Sequence, residues 1–165
     1  LPKNGAPHST RVAKLLNRDL TQNAVRIPKH NCKMQITILN EKQLVRDGFS
    51  RNPKFKCFVA ESNNEIIGMA LCYPRYSTWK GVTMHLEDLI VTKSRRGNGV
   101  GSLLFSKFIN YAHSLRVKRI EWAVLDWNVN AIEFYEKNGA KILSDWRVAQ
   151  MDEDSIKKFC NNESI

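Results

Sequence analysis

Ser94-Arg95-Arg96-Gly97-Asn98-Gly99-Val100-Gly101-Ser102 is the stretch on which the reading of this chain turns. It stands between an apolar run, Val82–Thr92, and an amphipathic one, Val100–Leu115. In the latter, Val100, Leu104, Phe108, Tyr111, Ala112 and Leu115 recur at helical spacing. A strand, a glycine-rich turn and a helix therefore follow one another. Glycines in such a turn let the backbone come close to a diphosphate, and the first turn of the helix offers N–H groups without intrahelical partners. Arg95 and Arg96 add charge suited to phosphate. Ser102 occupies the third glycine position of a dinucleotide fingerprint, which argues against a nicotinamide cofactor. The absence of GxxxxGK[ST] excludes a nucleotide-triphosphatase loop. A glycine-rich turn that binds nothing is the plainer alternative.

Upstream, Val82, Met84 and Leu86 alternate with Thr83, His85 and Glu87. Asp88 then falls where an apolar residue is due, and Leu89, Ile90 and Val91 follow. One extra residue near Glu87-Asp88 produces that change of phase, which predicts a β-bulge. A bulge turns backbone N–H groups towards an oxygen ligand and re-aims the carboxylates of Glu87 and Asp88. An edge strand carrying solvated acids is the alternative. Further upstream, Phe55–Glu61 and Glu65–Tyr73 read as a hairpin turning at Ser62-Asn63-Asn64. Asn40 and Gln43 imitate a capping box for a short helix stopped by Gly48. Before that, Arg11–Leu20 suggests a short helix and Lys33–Leu39 a strand.

Downstream, Arg119–Leu125 reads as a strand apolar enough to be buried on both faces. Asn128 caps a helix running to Lys137 and ending at Asn138-Gly139, with Phe134 and Tyr135 in its second turn. By periodicity alone Tyr135 reads more readily as a core aromatic than as a catalytic acid. Ala140–Met151 predicts one or two last strands, followed by a polar tail. The element order implies a mixed α/β sheet with helices against it.

At 165 residues, 42% hydrophobic and 25% charged, the chain fits one domain with a sizeable core. No apolar run approaches the roughly 18 residues of a membrane span. Leu1–Lys14 lacks the apolar core of a signal peptide, and the chain does not open on Met. Cys32, Cys57, Cys72 and Cys160 form no CxxC pair, which favours free thiols and a reducing, cytoplasmic setting. No His or Cys spacing suggests a metal. Of the net charge of +10, much sits in residues 1–35, where seven basic side chains face Asp19 alone. That bias reads as a solvated tail or a contribution to phosphate binding, rather than a nucleic-acid surface.

Taken together, these segments resemble the GNAT superfamily of N-acetyltransferases. Arg96-Gly97-Asn98-Gly99-Val100-Gly101 is similar to its [QR]-x-x-G-x-[GA] pyrophosphate motif. Asn128…Ala131…Phe134-Tyr135…Gly139-Ala140 is similar to its second signature. From about Thr37 to Asp152 the chain looks most like the spermidine/spermine and thialysine acetyltransferases. Asp47-Gly48-Phe49, Cys57-Phe58-Val59-Ala60-Glu61, Leu86-Glu87-Asp88 and Asp126-Trp127-Asn128 carry that likeness. Residues 1–36 depart from it, lacking the strand, arginine and amphipathic helix that normally open the fold.

The resemblance implies a mostly antiparallel mixed sheet with a splayed V between two parallel strands, flanked by helices. It places the acetyltransferase domain at residues 36–155, after a basic segment at 1–35 and before a polar tail at 156–165. The implied reaction is direct attack of a primary amine on acetyl-CoA, the amine being a diamine, a polyamine or a lysine-like molecule. Tyr135 would be the acid, and Glu87 the base and anchor of a cationic substrate, with Asp88, Glu121, Trp122 and Ala123 beside it. Leu89, Ile90 and Val91 would hold the pantetheine and thioester through backbone groups. Gly97, Asn98, Gly99, Val100, Gly101 and Ser102, with Arg96, would wrap the pyrophosphate. Asn128, Val129, Asn130 and Ala131 would line the opposite side. A homodimer is implied as well. Acetylation of peptide amines or amino-sugars is a second enzymatic reading, and a non-catalytic nucleic-acid-binding module is the reading from another class.

Overall fold

The computed structural model describes residues 41–63 and 65–162. The expected helix at Arg11–Leu20, the strand at Lys33–Leu39 and the Asn40 half of the capping box lie outside them. The elements in order are α1 (Glu41–Phe49), β1 (Lys56–Ser62), β2 (Glu65–Ser77), β3 (Gly81–Val91), α2 (Val100–Ser114), β4 (Ile120–Glu121), α3 (Val129–Lys137) and α4 (Glu153–Asn162). The sheet runs β1-β2-β3-β4, antiparallel except for the parallel β3–β4 pair. This is a mixed α/β architecture. The chain divides into two compact units, one ending at Ala123 and the other beginning at Val124.

In the first unit the hairpin forms as expected, with Ser62 opposite Glu65 and Asn63 in the left-handed region at φ 49°. β2 continues past Tyr73 to Ser77 in spite of Pro74. Pro74 faces Met84, whose N–H points the other way, to Arg119 O at 3.0 Å. Pro74 thus occupies a position where the β2–β3 ladder needs no donor, and β1 has already ended at the Lys56–Cys72 pair.

Alternation gives the sheet two faces. On one, Ala70, Cys72, Met84 and Leu86 are buried, as are Leu104, Phe105, Phe108 and Ala112 of α2, which packs against β1, β2 and β3. Gly68 lets α2 approach, because a Cβ there would stand 3.0 Å from Leu104 and 2.9 Å from Ile90 O. On the other face, Met69 and Leu71 gather Leu44, Phe55, Cys57, Val59, Ile66, Tyr73 and Ile90. Gly48, expected to stop α1, lies inside it. A Cβ there would come within 2.5 Å of the Phe55 ring, so close packing is what glycine provides.

Two expected strands are corrected. The strand expected over Arg119–Leu125 is reduced to Ile120–Glu121, paired with Met84 and His85. The ladder stops just before the disturbance in β3, where a bulged strand bends away from its neighbour. Trp122 leaves the ladder to pack edge-on against Phe105, at 5.7 Å between ring centroids. In the second unit, residues 140–151 form no strand; Leu143, Trp146 and Val148 are exposed there, and among the described residues no strand pairs with them, so their sheet-forming preference is not expressed.

Of the residues read as a polar tail, 156–162 belong to α4. Asp152 Oδ1 accepts from Ser155 N at 2.8 Å, which holds the Asp152 carboxyl below its ordinary range. Glu153 and Asp154 follow in the first turn, and Glu153 pairs with Lys157 at 2.6 Å. No helix among the described residues is long and apolar enough to cross a membrane.

Candidate active site

The change of phase in β3 is a bulge at Glu87. Leu71 faces Asp88 and Cys72 faces Leu86, so Glu87 has no partner of its own. Asp88 projects to the face of Leu71, and Glu87 reaches Tyr73 on that same face, its Oε2 accepting from the Tyr73 hydroxyl at 3.0 Å. Two consecutive carboxylates thus share one face, which a regular strand forbids. Burial raises the Asp88 pKa, and the neighbouring Glu87 charge adds to the rise. Glu87 itself is half exposed.

Beyond the bulge the backbone is turned to advantage. Thr92 N bonds to Ile67 O at 2.9 Å, so Thr92 faces β2, and by alternation Val91 and Leu89 direct their backbone groups to the opposite side. β4 supplies no ladder partner there. Arg96 Nε takes up the Val91 carbonyl at 3.0 Å, tying the glycine loop to the strand end. The N–H groups of Leu89 and Val91 and the Leu89 carbonyl therefore line the open edge, whereas Ile90 is turned to β2.

The loop itself passes through a 3₁₀ turn, Lys93–Arg95, and then Gly97 at φ 79° and Gly99 at φ 78°, both values that L side chains resist. Among the described residues, no atom beyond the adjoining residues lies within 4 Å of where a Cβ would stand on either glycine. Gly99 caps α2 without a side-chain acceptor, and the first turn carries no acid. The N–H groups of Val100, Gly101 and Ser102 open α2 beneath an exposed loop bearing Arg95 and Arg96. These residues fit a pyrophosphate.

A network missed by the sequence reading surrounds Glu87. Tyr73 and His85 face each other across the strands with ring centroids 5.1 Å apart, and His85 Nε2 lies 3.6 Å from Glu87 Oε2. Arg75 Nη1 lies 3.3 Å from His85 Nδ1 and 2.7 Å from Glu121 Oε1. Arg119 Nε stands 2.8 Å from Glu121 Oε2, a close charge contact without the alignment of a hydrogen bond. Glu121 therefore sits between two arginines, and the negative side of the network is Glu87 with Asp88. Of the other expected substrate residues, Trp122 packs on Phe105 and Ala123 is exposed. The signal for Arg75 and His85 lay in strand register, which places them beside Glu87 only once β2 and β3 pair.

In the second unit, Asn128 caps α3, its Oδ1 accepting from Ala131 N at 3.4 Å, and Gly139 follows the helix at φ 88°. Val129 and Asn130 are exposed in the first turn. Tyr135 is buried, its ring 5.3 Å from that of Phe134, and burial raises its pKa above the ordinary phenol value of 10.0. It holds its proton throughout the neutral range, as an acid must.

Residues 17–140 match the model of the Acetyltransferase (GNAT) family. The chain belongs to that family. The match reaches back into the basic segment that the sequence reading set apart. This acetyltransferase is 33% identical over 132 residues to a pig (Sus scrofa) thialysine N-epsilon-acetyltransferase, covering 73% of this chain and 78% of the relative. It is 33% identical over 109 residues to the Arabidopsis thaliana L-ornithine N5-acetyltransferase NATA1, covering 64% and 48%. An aminoglycoside acetyltransferase from an uncultured soil metagenomic sample shares the fold, with TM-score 0.69, 14% identity and coverage of 88% and 91%. GNAT acetyltransferases use acetyl-CoA as co-substrate, and the glycine loop fits its pyrophosphate.

Proposed function

We propose that this enzyme acetylates the side-chain amine of a lysine-like amino acid, or a small diamine or polyamine, by direct attack. The bulge at Glu87 carries the reading. It sets two carboxylates side by side and leaves the backbone of Leu89 and Val91 open beyond them. Acetyl-CoA, when bound, supplies the activated acetyl thioester.

Glu87 anchors the cationic acceptor and takes a proton from its ammonium, which at a lysine-like pKa of about 10.4 is otherwise charged at neutral pH. Asp88 adds to the negative field. The N–H groups of Leu89 and Val91 hold the thioester and pantetheine, and Gly97 to Ser102 hold the pyrophosphate. Tyr135 donates a proton to the leaving sulfur, whose thiol has an ordinary pKa of about 8.5. Asn128 to Ala131 contribute to cofactor binding from the start of α3. The names of the thialysine and ornithine acetyltransferases both specify a side-chain nitrogen, which supports putting lysine-like acceptors ahead of polyamines in this proposal. The proposal includes a cytoplasmic homodimer, supported by the free thiols and by apolar side chains exposed at Trp146, Val148 and Phe159.

A CoA-release assay across lysine-like amino acids, diamines, polyamines and monoamines tests the acceptor class. In the same assay Glu87→Gln raises the acceptor KM by about 5- to 150-fold, the worth of about 1–3 kcal/mol for one charge-assisted contact. The acetyl-CoA KM stays within about two-fold, because the cofactor contacts come from backbone groups. A larger loss for diamines than for monoamines identifies pairing with the second ammonium. Equal losses assign Glu87 to proton abstraction alone, and no loss for either removes Glu87 from the site.

A further inference from the structure

Arg75 carries donors only, so at 3.3 Å the facing His85 Nδ1 must be the accepting nitrogen. The proton of the neutral imidazole then resides on Nε2, the nitrogen that faces Glu87 Oε2. The Tyr73 hydroxyl donates to that same oxygen. We propose that His85 is a positioning residue for Glu87, held by Arg75 in the Nε2–H tautomer, so that His85 and Tyr73 both engage Oε2 and leave Oε1 to the acceptor amine. The inference rests on the reading of Glu87 as the acceptor-binding carboxylate.

The groups facing His85 are Tyr73 and Arg75 from β2, Glu87 on its own strand and Glu121 from β4, the last balanced by Arg75 and Arg119. Burial lowers the His85 pKa, and Arg75 lowers it further against the pull of Glu87 and Glu121. The ring is therefore neutral at working pH. A neutral N–H orients a carboxylate without cancelling its charge, which remains available to the acceptor ammonium. An imidazolium would form an ion pair with Glu87 and turn an N–H on Nδ1 against the Arg75 guanidinium. At 3.6 Å the Nε2 contact is longer than a hydrogen bond, as catalytic contacts often are before substrate binds.

Long-range ¹H–¹⁵N spectra of the histidine-labelled full chain, with His85 assigned by its loss in His85→Gln, read the tautomer directly. The expected pattern has Nε2 protonated and Nδ1 bare; a protonated Nδ1 in the neutral ring overturns the inference. Arg75→Met should raise the His85 pKa and move the acidic limb of kcat/KM to higher pH. An unmoved His85 pKa overturns the clamp. His85→Phe, which keeps an aromatic ring without donors, should lower kcat/KM for the acceptor about 10-fold, and His85→Gln, whose amide can donate, should recover most of it. If His85→Phe matches the wild type while Glu87→Gln does not, the positioning role falls and Glu87 keeps its own. If both variants match the wild type, the reading of Glu87 falls and takes this one with it.

Discussion

Tyr135→Phe is expected to lower kcat by about 10²–10⁴, the range of a general acid, while acetyl-CoA binds as before. The substitution keeps the ring, and with it the edge contact to Phe134 at 5.3 Å, and removes only the hydroxyl. Burial sets the direction of the pH dependence. A phenol whose pKa is raised above 10.0 stays protonated at every pH below it. Loss of the acid by ionisation therefore lies on the alkaline side of pH 10, and the wild-type profile should show no alkaline fall between pH 7 and 9. Single-turnover kinetics with saturating acetyl-CoA separate this loss from a binding effect. Near-normal turnover would return Tyr135 to the role of a packing aromatic.

The second large effect is expected at Gly101. Unlike Gly97 and Gly99, it has no positive φ, and a Cβ built on it meets only Val91 Cγ2 at 3.7 Å, an ordinary contact. The added Cβ of Gly101→Val is thus accommodated by the folded chain, and the two methyl groups it carries are expected to enter the space above the first turn of α2. If a pyrophosphate sits there, two charge-assisted contacts of about 1.5–3 kcal/mol each are lost, and acetyl-CoA affinity falls about 10²–10⁴-fold. Calorimetric titration with CoA, beside a melting curve, checks both halves of the claim. Full affinity in a folded variant would remove the loop from the cofactor site. The same substitution at Gly99 is less informative, because valine at φ 78° strains the backbone whether or not a ligand binds.

What could be read in the sequence was what local pattern controls. The strand, glycine turn and helix around residues 82–115 announced themselves through alternation, turn chemistry and helical spacing, and the misplaced Asp88 betrayed the bulge within one residue. Pairing between distant segments was not legible. β2 passes Pro74 because Met84 directs its N–H elsewhere, which depends on where β4 lies. Ile120-Glu121-Trp122-Ala123-Val124-Leu125 has the composition of a buried strand, yet its length is set by the bend in β3. Arg75 lay beyond the strand expected to end at Tyr73, and His85 was one polar residue in the alternation of the next; register brings them to Glu87. α4 was legible in principle, since Asp152-Glu153-Asp154-Ser155 is a cap followed by an acidic first turn, but the polar composition after it reads equally as a tail.

The bulge makes one residue dispensable to the architecture. Leu86 and Leu89 face the same side of the sheet as Cys72 and Ala70, while His85 and Asp88 face the side of Tyr73 and Leu71. With Glu87 excised, His85, Leu86, Asp88 and Leu89 would alternate without interruption, and every surviving side chain would keep its present face. The hydrophobic layer beneath α2 would be complete, and no partner on β2 would be lost. A chain shortened by that residue should therefore melt as a cooperative unit close to the temperature of the parent, while acceptor turnover disappears. Excision of Leu86 or Asp88 instead removes a residue with a partner on β2. Under the proposed mechanism Glu87 is thus an insertion that the fold should tolerate and the chemistry should miss.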